Sequence, residues 1–288
     1  MTATVEVVSP GALSTLQDLG RPGWRRHGVP GCGALDPALL RIANVLAGNA
    51  EGAAAIEFFV AGPTLKALDE PVQLGFAGDF SLTLVRANGE RTQLDSWRSV
   101  TLWPGDTLRA GSPRNSRCGV VAVRGLVAPL VLGSASTYMR ALLGGYGGRA
   151  LAAGDKLSAS AMPLKAGMVP TEQILRRPRA PERGAMRVVL GPQADHFDAA
   201  ALASFFGSEY QVSTEVDRMG VRLQGPALLH NDRGGEIVSD ATVPGSIQVP
   251  GNGLPIVLLA DGQTAGGYPK IATVISADLP RLAVAAVG

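Results

Sequence analysis

The sequence is poor in cysteine and in charged residues. Its two cysteines, Cys32 and Cys118, are too few for a disulfide framework and do not form a C-x-x-C pair, so we expect neither redox chemistry nor a metal site built on cysteine. Charged residues make up 17% of the chain, and the net charge of +2 is too small for a general polyanion binder. We therefore expect a reduced, cytoplasmic setting and no nucleic-acid partner.

Long apolar stretches are also missing. The N-terminus lacks a basic segment followed by an apolar one, so we expect no secretory leader. The longest apolar run, CGVVAVRGLVAPLVLGSAS, is interrupted by Arg124, Gly125 and Pro129, so no uninterrupted part of it reaches the roughly 18 residues that a spanning helix needs. This run is typical of buried strands, and we expect no membrane association.

Familiar catalytic signatures are absent. There is no G-x-x-x-x-G-K-[ST] loop, and GYGGRA, from Gly145 to Ala150, follows no clear strand and lacks an acid about 20 residues later. No G-x-S-x-G or H-E-x-x-H motif occurs, and His27, His196 and His230 are far apart in the sequence. We expect no resident metal, and we expect any nucleotide to bind on a partner.

Glycine and proline, by contrast, are abundant. The 37 glycines and 20 prolines make up about a fifth of the chain and separate short segments rich in β-branched residues. Asn88-Gly89 predicts a two-residue hairpin turn between SLTLV and RTQL. Two helices are predicted, ALDPALLRIANVLAGN with Asp36 as N-cap and Gly48 as stop, and ADHFDAAALASFFGS, which ends at Gly207. The predicted fold class is mainly β with a few short helices.

A change of composition divides the chain. The segment MPLKAGMVPTEQILRRPRAPERGAM is rich in proline and in basic residues and has no sustained period. It predicts a connector at 166–184 between an N-terminal half at 1–165 and a C-terminal half at 185–288.

Two polar clusters are candidates for function. LQDLGRPGWRRHGVPGCGALD places Asp18 and Arg21 in a proline-braced loop of the kind that holds a substrate; the alternative is a solvated loop in which the two residues pair with each other. STEVDRMGVRL places Arg218 beside the turn at Gly220, where a guanidinium can clamp a carboxylate in bidentate fashion. The alternative for Arg218 is a purely structural role.

A third cluster lies near the C-terminus, in GGEIVSDATVPGSIQVPGNGLPIVLLADGQTAGGYPKIATVISADLPRL. Strand-end loops of β proteins are natural places for a small-molecule pocket. The candidates near predicted strand ends are Ser239, Gln248, Asp261, Gln263, Thr264, Tyr268 and Lys270. Gly266 and Gly267 would give a substrate close access to backbone amides. The alternative for ADGQTAGGYPKIATVI is a glycine-rich turn between two strands.

Three long motifs together resemble one known family. STEVDRMGVRL, PGSIQVPGNGLPIVLLADGQTAGGYPKIATVISADLPRL and SPGALSTLQDLGRPGWRRHGVPGCGALDPALLRIANVLAGN resemble the biotin-dependent carboxyltransferase family known as allophanate hydrolase subunit 2, which includes the C subunit of bacterial 5-oxoprolinase and the KipA-type proteins. The resemblance covers almost the whole chain in the same order. It implies a cyclophilin-like β-barrel architecture in two related halves.

The resemblance implies three functions that share these motifs. The first, which we favour, is a subunit of an ATP-dependent 5-oxoprolinase that hydrolyses 5-oxo-L-proline to L-glutamate. That subunit would be inactive alone and would work with a KipI-like B subunit (allophanate hydrolase subunit 1) and with an A subunit. The second is a carboxyltransferase that moves a carboxyl group from carboxybiotin to urea or a related amide. The third is a non-catalytic regulatory protein of the KipA type.

The resemblance also bears on cofactors. No covalently bound cofactor is expected, since PLKAGM around Lys165 lacks the A-M-K-M setting of a biotin carrier. ATP would act through partner subunits. If biotin is used, carboxybiotin would arrive on a partner.

Under the favoured function, the candidate residues take distinct roles toward an amide or lactam substrate. We expect Arg218 and Arg21 to hold a carboxylate, and Asp261 and Gln263 to orient the amide. Tyr268 or Lys270 would assist charge development at the carbonyl oxygen. The other substrate-binding candidates are Asp18, Ser239, Gln248, Thr264, Gly266 and Gly267.

Overall fold

The structure, a computed structural model, describes residues 2–162, 171–178 and 184–288. Strands hold 35% of the residues and helices 12%, with three α-helices in the described ranges, so the predicted mainly β class is confirmed. Within those ranges no helix has both the length and the apolar character needed to cross a membrane.

The chain divides into two compact units. The first unit contains the described residues of 2–21 and 32–178, and the second contains those of 22–31 and 184–288. The short segment 22–31 thus belongs to the second unit, although the residues on both sides of it belong to the first. The predicted connector at 166–184 falls largely outside the described residues, so its boundaries stay a prediction.

The described part of the first unit contains eleven strands that pair in antiparallel fashion. Their bounds are β1 Thr2–Ser9, β2 Leu13–Gln17, β3 Ala55–Phe59, β4 Thr64–Ala67, β5 Val72–Ala77, β6 Ser81–Val85, β7 Arg91–Asp95, β8 Arg98–Leu102, β9 Thr107–Ala110, β10 Cys118–Val123 and β11 Lys156–Ser160. One sheet has the order β11-β1-β4-β9-β6-β7, and the other has the order β2-β3-β10-β5-β8.

The main core of the first unit is built from strand residues of alternating direction. Val5 and Val7 of β1 and Ile56 and Phe58 of β3 are fully buried in one apolar cluster, to which both sheets contribute. Because successive side chains of a strand point to opposite faces, this spacing gives each sheet one apolar inner face.

Helix α1 (Pro37–Ala47) begins and ends at the predicted residues. The carboxylate of Asp36 accepts hydrogen bonds from the backbone N–H groups of Ala38 (2.9 Å) and Leu39 (3.2 Å), and Gly48 ends the helix with a φ of 77°. The predicted N-cap and stop are therefore confirmed.

The hairpin between β6 and β7 has a longer loop than the predicted two-residue turn. The Gly89 N–H donates to Arg86 O (2.8 Å), and the Arg86 N–H donates to Glu90 O (2.9 Å), so the loop contains the three residues 87–89. Gly89 takes the left-handed position with a φ of 88°. The hairpin is confirmed and the turn type was wrong, because glycine fills the last loop position rather than the second turn position.

The second unit has a six-stranded sheet and a two-stranded ladder. The strands are β12 Val188–Leu190, β13 Gln211–Val216, β14 Gly220–Gln224, β15 Asp240–Ala241, β16 Ser246–Gln248, β17 Ile256–Leu258, β18 Ala265–Gly266 and β19 Lys270–Val274. The sheet has the order β12-β19-β16-β17-β14-β13, and the ladder pairs β15 with β18. Both arrangements are antiparallel.

The predicted helix in ADHFDAAALASFFGS is divided in two. A 3-10 turn at Ala194–His196 precedes helix α2 at Ala199–Gly207. The carboxylate of Asp198 accepts a hydrogen bond from the Ala201 N–H (2.7 Å) and caps α2. The N-cap therefore lies inside the segment that was predicted to be one helix. A short helix α3, Leu279–Ala283, follows the last strand.

Gly75 offers a test of how closely α1 packs on the sheet. A Cβ at Gly75 would lie 2.1 Å from the backbone oxygen of Ala43. We expect Gly75→Ala to lower the free energy of unfolding by about 1–3 kcal/mol, because helix and strand must separate. The control is Gly52→Ala, whose Cβ would meet only the end of the half-exposed Leu19 side chain. Equal stability of the two variants in denaturant unfolding would contradict this account.

Candidate functional site

A charged pair with a buried lysine and a half-exposed aspartate lies at the start of β19 in the second unit. Lys270 is 2% exposed, and its Nζ donates a hydrogen bond to Oδ2 of Asp240 at 2.7 Å. Gln193 supports both partners, since its Nε2 donates to the same Asp240 oxygen (3.2 Å) and its Oε1 accepts from the Lys270 backbone N–H (3.3 Å). A buried ammonium requires such a counter-charge, and the half-exposed Asp240 supplies it and fixes the position of Lys270.

The pair also sets the ionisation of Asp240. The hydrogen bond from Lys270, followed by those from Gln193 and the Ala241 N–H, lowers the pKa of Asp240 from 3.8 to about 2. Asp240 therefore stays ionised at neutral pH and remains an acceptor for the ammonium.

Contacts around this pair close into a ring. Asp240 pairs with Gly266 in the β15–β18 ladder, and Gln248 of β16 lies opposite Lys270 of β19 at an irregularity in the ladder. A Cβ at Gly266 would lie 2.4 Å from Gln248 Nε2, which shows how closely this amide packs on the glycine. Gln263 Nε2 donates to Gln248 Oε1 at 3.0 Å. We call the set Gln193, Asp240, Gln248, Gln263, Gly266 and Lys270 the Lys270 cluster.

One buried amide of this cluster has an unused donor. Gln248 is 2% exposed, and its Nε2 has no hydrogen-bond acceptor among the residues that the structure describes. Because an unsatisfied buried N–H is costly, such a group is suited to an acceptor supplied from outside the chain.

Backbone contacts hold the segment that carries Gln263. Arg25 Nη2 donates to the carbonyl oxygens of Thr242 (2.8 Å) and Gln263 (2.9 Å), and the Thr242 hydroxyl donates to the same Gln263 oxygen. The Thr242 N–H donates to Thr264 O at 3.0 Å. Thr264 thus takes part through its backbone, and Arg25 restrains the loop from the segment 22–31.

Three further candidates lie beside the ladder with part of their surface open to solvent. Ser239 is exposed. Its Oγ lies close to Gly267, 3.8 Å from the position that a Cβ of that residue would take. The carbonyl of Gly267 accepts a hydrogen bond from the Ile237 N–H at 2.9 Å. Tyr268 is 40% exposed. These residues are accessible to a ligand, and their predicted roles in binding stay predictions.

Arg218 and Asp261 bind each other. Arg218 Nε donates to Asp261 Oδ2 at 3.0 Å and Nη2 donates to Oδ1 at 2.9 Å, while the Asp261 N–H donates to Arg218 O at 3.0 Å. The side chains are only 4% and 7% exposed. Arg218 does clamp a carboxylate, as its sequence setting suggests, but that carboxylate belongs to Asp261. This geometry favours a structural role for the pair, and direct substrate binding by either residue stays a prediction.

Asp18 and Arg21 belong to the first unit and are both buried, so the alternative of a solvated loop is wrong. Arg21 Nε donates to Val131 O at 3.4 Å, and Nη2 donates to Ser136 O. Asp18 accepts four hydrogen bonds, from Gly20 N (2.8 Å), Ser134 Oγ (2.6 Å), Ala135 N (2.7 Å) and Ser136 Oγ (2.6 Å). The two residues therefore fix the loop after β2 to the segment 131–136.

Metal ligation has no candidate group in the described part of the chain. No set of three or more His, Cys, Asp or Glu residues there is placed to hold a metal ion.

A family model described as "Carboxyltransferase domain, subdomain A and B" matches residues 27–288. The chain belongs to this carboxyltransferase family. The resemblance that the three motifs predicted is thereby confirmed. The buried Arg218–Asp261 pair and the Lys270 cluster lie within the matched range.

Relatives within the carboxyltransferase family cover nearly the whole chain. The C subunit of 5-oxoprolinase from Escherichia coli is 37% identical over 97% of this chain and 87% of its own length. The protein of the same name from Haemophilus influenzae is 35% identical over 99% and 88%. The urea amidolyase of Lachancea kluyveri is 30% identical over 95% of this chain, which corresponds to 16% of that protein.

Solved carboxyltransferase-family structures share the fold. TTHA0988 is 34% identical with a TM-score of 0.84, covering 99% of this chain and 55% of that one. The urea carboxylase of Kluyveromyces lactis is 28% identical with a TM-score of 0.85, covering 99% and 26%. This chain therefore spans about half the length of TTHA0988 and about a quarter of the urea carboxylase.

Four residues that organise the site in this carboxyltransferase-family chain were not among the predicted site residues. Asp240 directly follows the candidate Ser239 in the sequence. Its ion-pair partner Lys270 was also a candidate, so an acid next to Ser239 was the available signal for it. Gln193, Thr242 and Arg25 act through contacts with residues far away in the sequence. No local pattern predicts such contacts.

The Arg218–Asp261 pair can be tested through stability. We expect Arg218→Met to lower the free energy of unfolding by about 3–5 kcal/mol, because it leaves Asp261 buried without a counter-charge. The control is Arg222→Met, which breaks the exposed pair with Glu215 (3.1 Å) and should cost less than about 1 kcal/mol. Similar losses in urea unfolding would show that burial of the pair is unimportant.

The Lys270–Asp240 pair can be tested through titration. A lowered carboxyl pKa contributes stability that is present above pH 3.8 and is lost as the pH falls toward about 2. In Lys270→Met the pKa of Asp240, followed by carboxyl-carbon NMR, should rise toward 3.8. The pKa of Asp278, which Arg187 holds well below its usual range, should not move and serves as the control. An unchanged Asp240 pKa would mean that Lys270 does not stabilise the carboxylate.

Proposed function

We propose that the chain is a subunit of an ATP-dependent 5-oxoprolinase, which hydrolyses 5-oxo-L-proline to L-glutamate. The observation that carries the proposal is the 37% identity to the 5-oxoprolinase C subunit of Escherichia coli over 97% of this chain and 87% of that protein. In this hydrolysis the lactam C–N bond breaks. Water supplies a hydroxyl group to the carbonyl carbon and a proton to the ring nitrogen.

Lys270 is the group that we assign to the carbonyl oxygen of the substrate. An ammonium has three N–H donors, and Asp240 accepts one of them (2.7 Å). Negative charge grows on the carbonyl oxygen when water attacks, and a fixed cation stabilises that charge more than it stabilises the neutral substrate. The burial of Lys270 strengthens the effect, since water screens the charge less.

The two glutamines are suited to the amide of the substrate. Gln263 Nε2 is bonded to Gln248 Oε1, so Gln263 retains its own oxygen as an acceptor for the lactam N–H. Gln248 Nε2 is a donor without an acceptor among the described residues and is suited to an oxygen of the substrate. The Arg218–Asp261 pair fixes the chain two residues before Gln263 and so positions this amide.

The partners are part of the proposal. The chain would be inactive alone and would act with a KipI-like B subunit and with an A subunit, in the cytoplasm. The word "subunit" in the names of the two bacterial relatives supports this requirement. ATP would bind on a partner, in keeping with the absence of a P-loop from the sequence.

A second candidate is a carboxyltransferase that accepts a carboxyl group from carboxybiotin on a partner and passes it to urea or a related amide. It is favoured by the similarity to the urea amidolyase and to the urea carboxylase structure. Lys270 would then hold the carboxyl group during transfer, and the glutamines would hold the amide. The 5-oxoprolinase function has the stronger support, because the bacterial relatives match over nearly their full length.

Affinity purification of the tagged chain from its source cells, followed by ATPase assays with 5-oxoproline and with urea, separates these functions. We expect 5-oxoproline to stimulate ATP hydrolysis by the complex and urea to have no effect. Copurification of a biotin carrier with urea-dependent activity would support the carboxyltransferase instead. A complex that binds tightly but responds to neither substrate would favour a regulatory protein.

Variants in the same complex test the role of Lys270. Lys270→Met should lower kcat at least about 100-fold, as expected for loss of a donor to a developing oxyanion. Lys270→Arg keeps the charge and should retain more activity. Tyr268→Phe is the comparison variant. If it is as active as wild type, then Lys270 rather than Tyr268 assists charge development at the carbonyl oxygen. If Lys270→Met is fully active in a folded complex, the assignment is wrong.

A further inference from the structure

A glycine-rich loop lies against the buried Arg21 in the first unit. Its sequence, GGYGG at 144–148, overlaps the GYGGRA segment that has no nucleotide-binding context. Gly144, Gly145, Gly147 and Gly148 have φ values of 67°, 56°, 64° and 73°. Only glycine adopts this left-handed region routinely, so the four glycines are required by the backbone path.

The loop backbone lies directly on Arg21 and on the segment that Arg21 contacts. A Cβ at Gly144 would be 2.2 Å from Ser136 O and 2.8 Å from Arg21 Nη2, and a Cβ at Gly145 would be 1.9 Å from Thr137 Oγ1. The Gly145 N–H donates to the carbonyl oxygen of residue 135 at 2.9 Å. No side chain therefore separates the loop amides from the guanidinium.

Several donors in this place have no acceptor within the described ranges of the chain. Arg21 is fully buried and its Nη1 is unsatisfied there. The backbone N–H of the buried Gly144 also makes no hydrogen bond within those ranges, and neither does the N–H of the exposed Gly147. Buried donors are almost always satisfied in native proteins, so a guanidinium nitrogen and a buried loop amide call for an acceptor.

The nearby charged side chains leave Arg21 without a carboxylate of its own among the described residues. Asp18 already accepts its four hydrogen bonds from hydroxyl and backbone donors. Arg149, which follows the loop 144–148 in the sequence, donates two hydrogen bonds of 2.7 Å to the carboxylate of Asp155. Arg21 itself donates to the carbonyl oxygens of Val131 and Ser136, which do not neutralise its charge.

We propose that Arg21 and the loop 144–148 bind a small planar oxyanion of the carboxylate class. A guanidinium matches the oxygens of a carboxylate, and the N–H of the buried Gly144 next to it adds a further donor, whereas the N–H groups of Gly145 and Gly148 are already bonded within the chain. A single arginine and neutral amides suit a monovalent anion better than a phosphate. The site stands on the first unit alone and does not rest on the proposed function.

Titration of the full chain with sodium formate at constant ionic strength tests the proposal. Formate is the probe, and thermal unfolding and amide NMR are the readouts. We expect formate to raise Tm in a saturable manner and to shift the amide resonances of Gly144 and Gly147. Acetate and bicarbonate should act similarly, whereas chloride and phosphate should act more weakly.

Arg21→Gln should weaken the apparent affinity for formate at least tenfold. Its matched control is Arg114→Gln, which removes the same charge from a side chain that is 53% exposed and should leave the affinity within twofold of wild type. If Arg21→Gln does not fold, the amide shifts of the wild-type chain decide the matter. Absence of saturable shifts at Gly144 and Gly147, or an equal effect of chloride, would overturn the proposal.

Discussion

The buried ammonium of Lys270 is the constraint on which the site of the second unit depends. A cation with 2% exposure is tolerated only with a counter-charge at bonding distance, and Asp240 supplies it from the β15–β18 ladder. The side chain of Gln193 donates a hydrogen bond to the same carboxylate. The two-stranded ladder therefore does more than join two loops: it carries the anion that allows a lysine to be charged inside the unit.

Buried charge is handled differently at two other places. Arg218 and Asp261 neutralise each other completely, which makes them a rigid support. Asp18 is satisfied by neutral donors, and Arg21 bonds to neutral acceptors. Relatives of this chain are named for different substrates, so the fold alone does not determine the substrate.

Local signals explain most of what could be predicted from the sequence. Asp36 and Gly48 bound α1 because caps act within a few residues, and segments rich in β-branched residues between glycine and proline turns predicted the mainly β class. The partners of Lys270 and Arg218 could not be predicted in the same way. Asp240 is 30 residues from Lys270 and Asp261 is 43 residues from Arg218, and only the folded sheet brings such pairs together. Polar residue types were therefore found, whereas their mutual contacts were not.

The assignment of residues 22–31 to the second unit affects how the protein can be taken apart. The chain leaves the first unit after residue 21, returns at 32 and leaves again before 184, so the units are joined by three covalent crossings rather than one tether. A single cut between 163 and 183 would leave Arg25 on the fragment that does not contain Thr242 and Gln263, its bonding partners. A fragment that begins after residue 183 would therefore lack a part of the second unit.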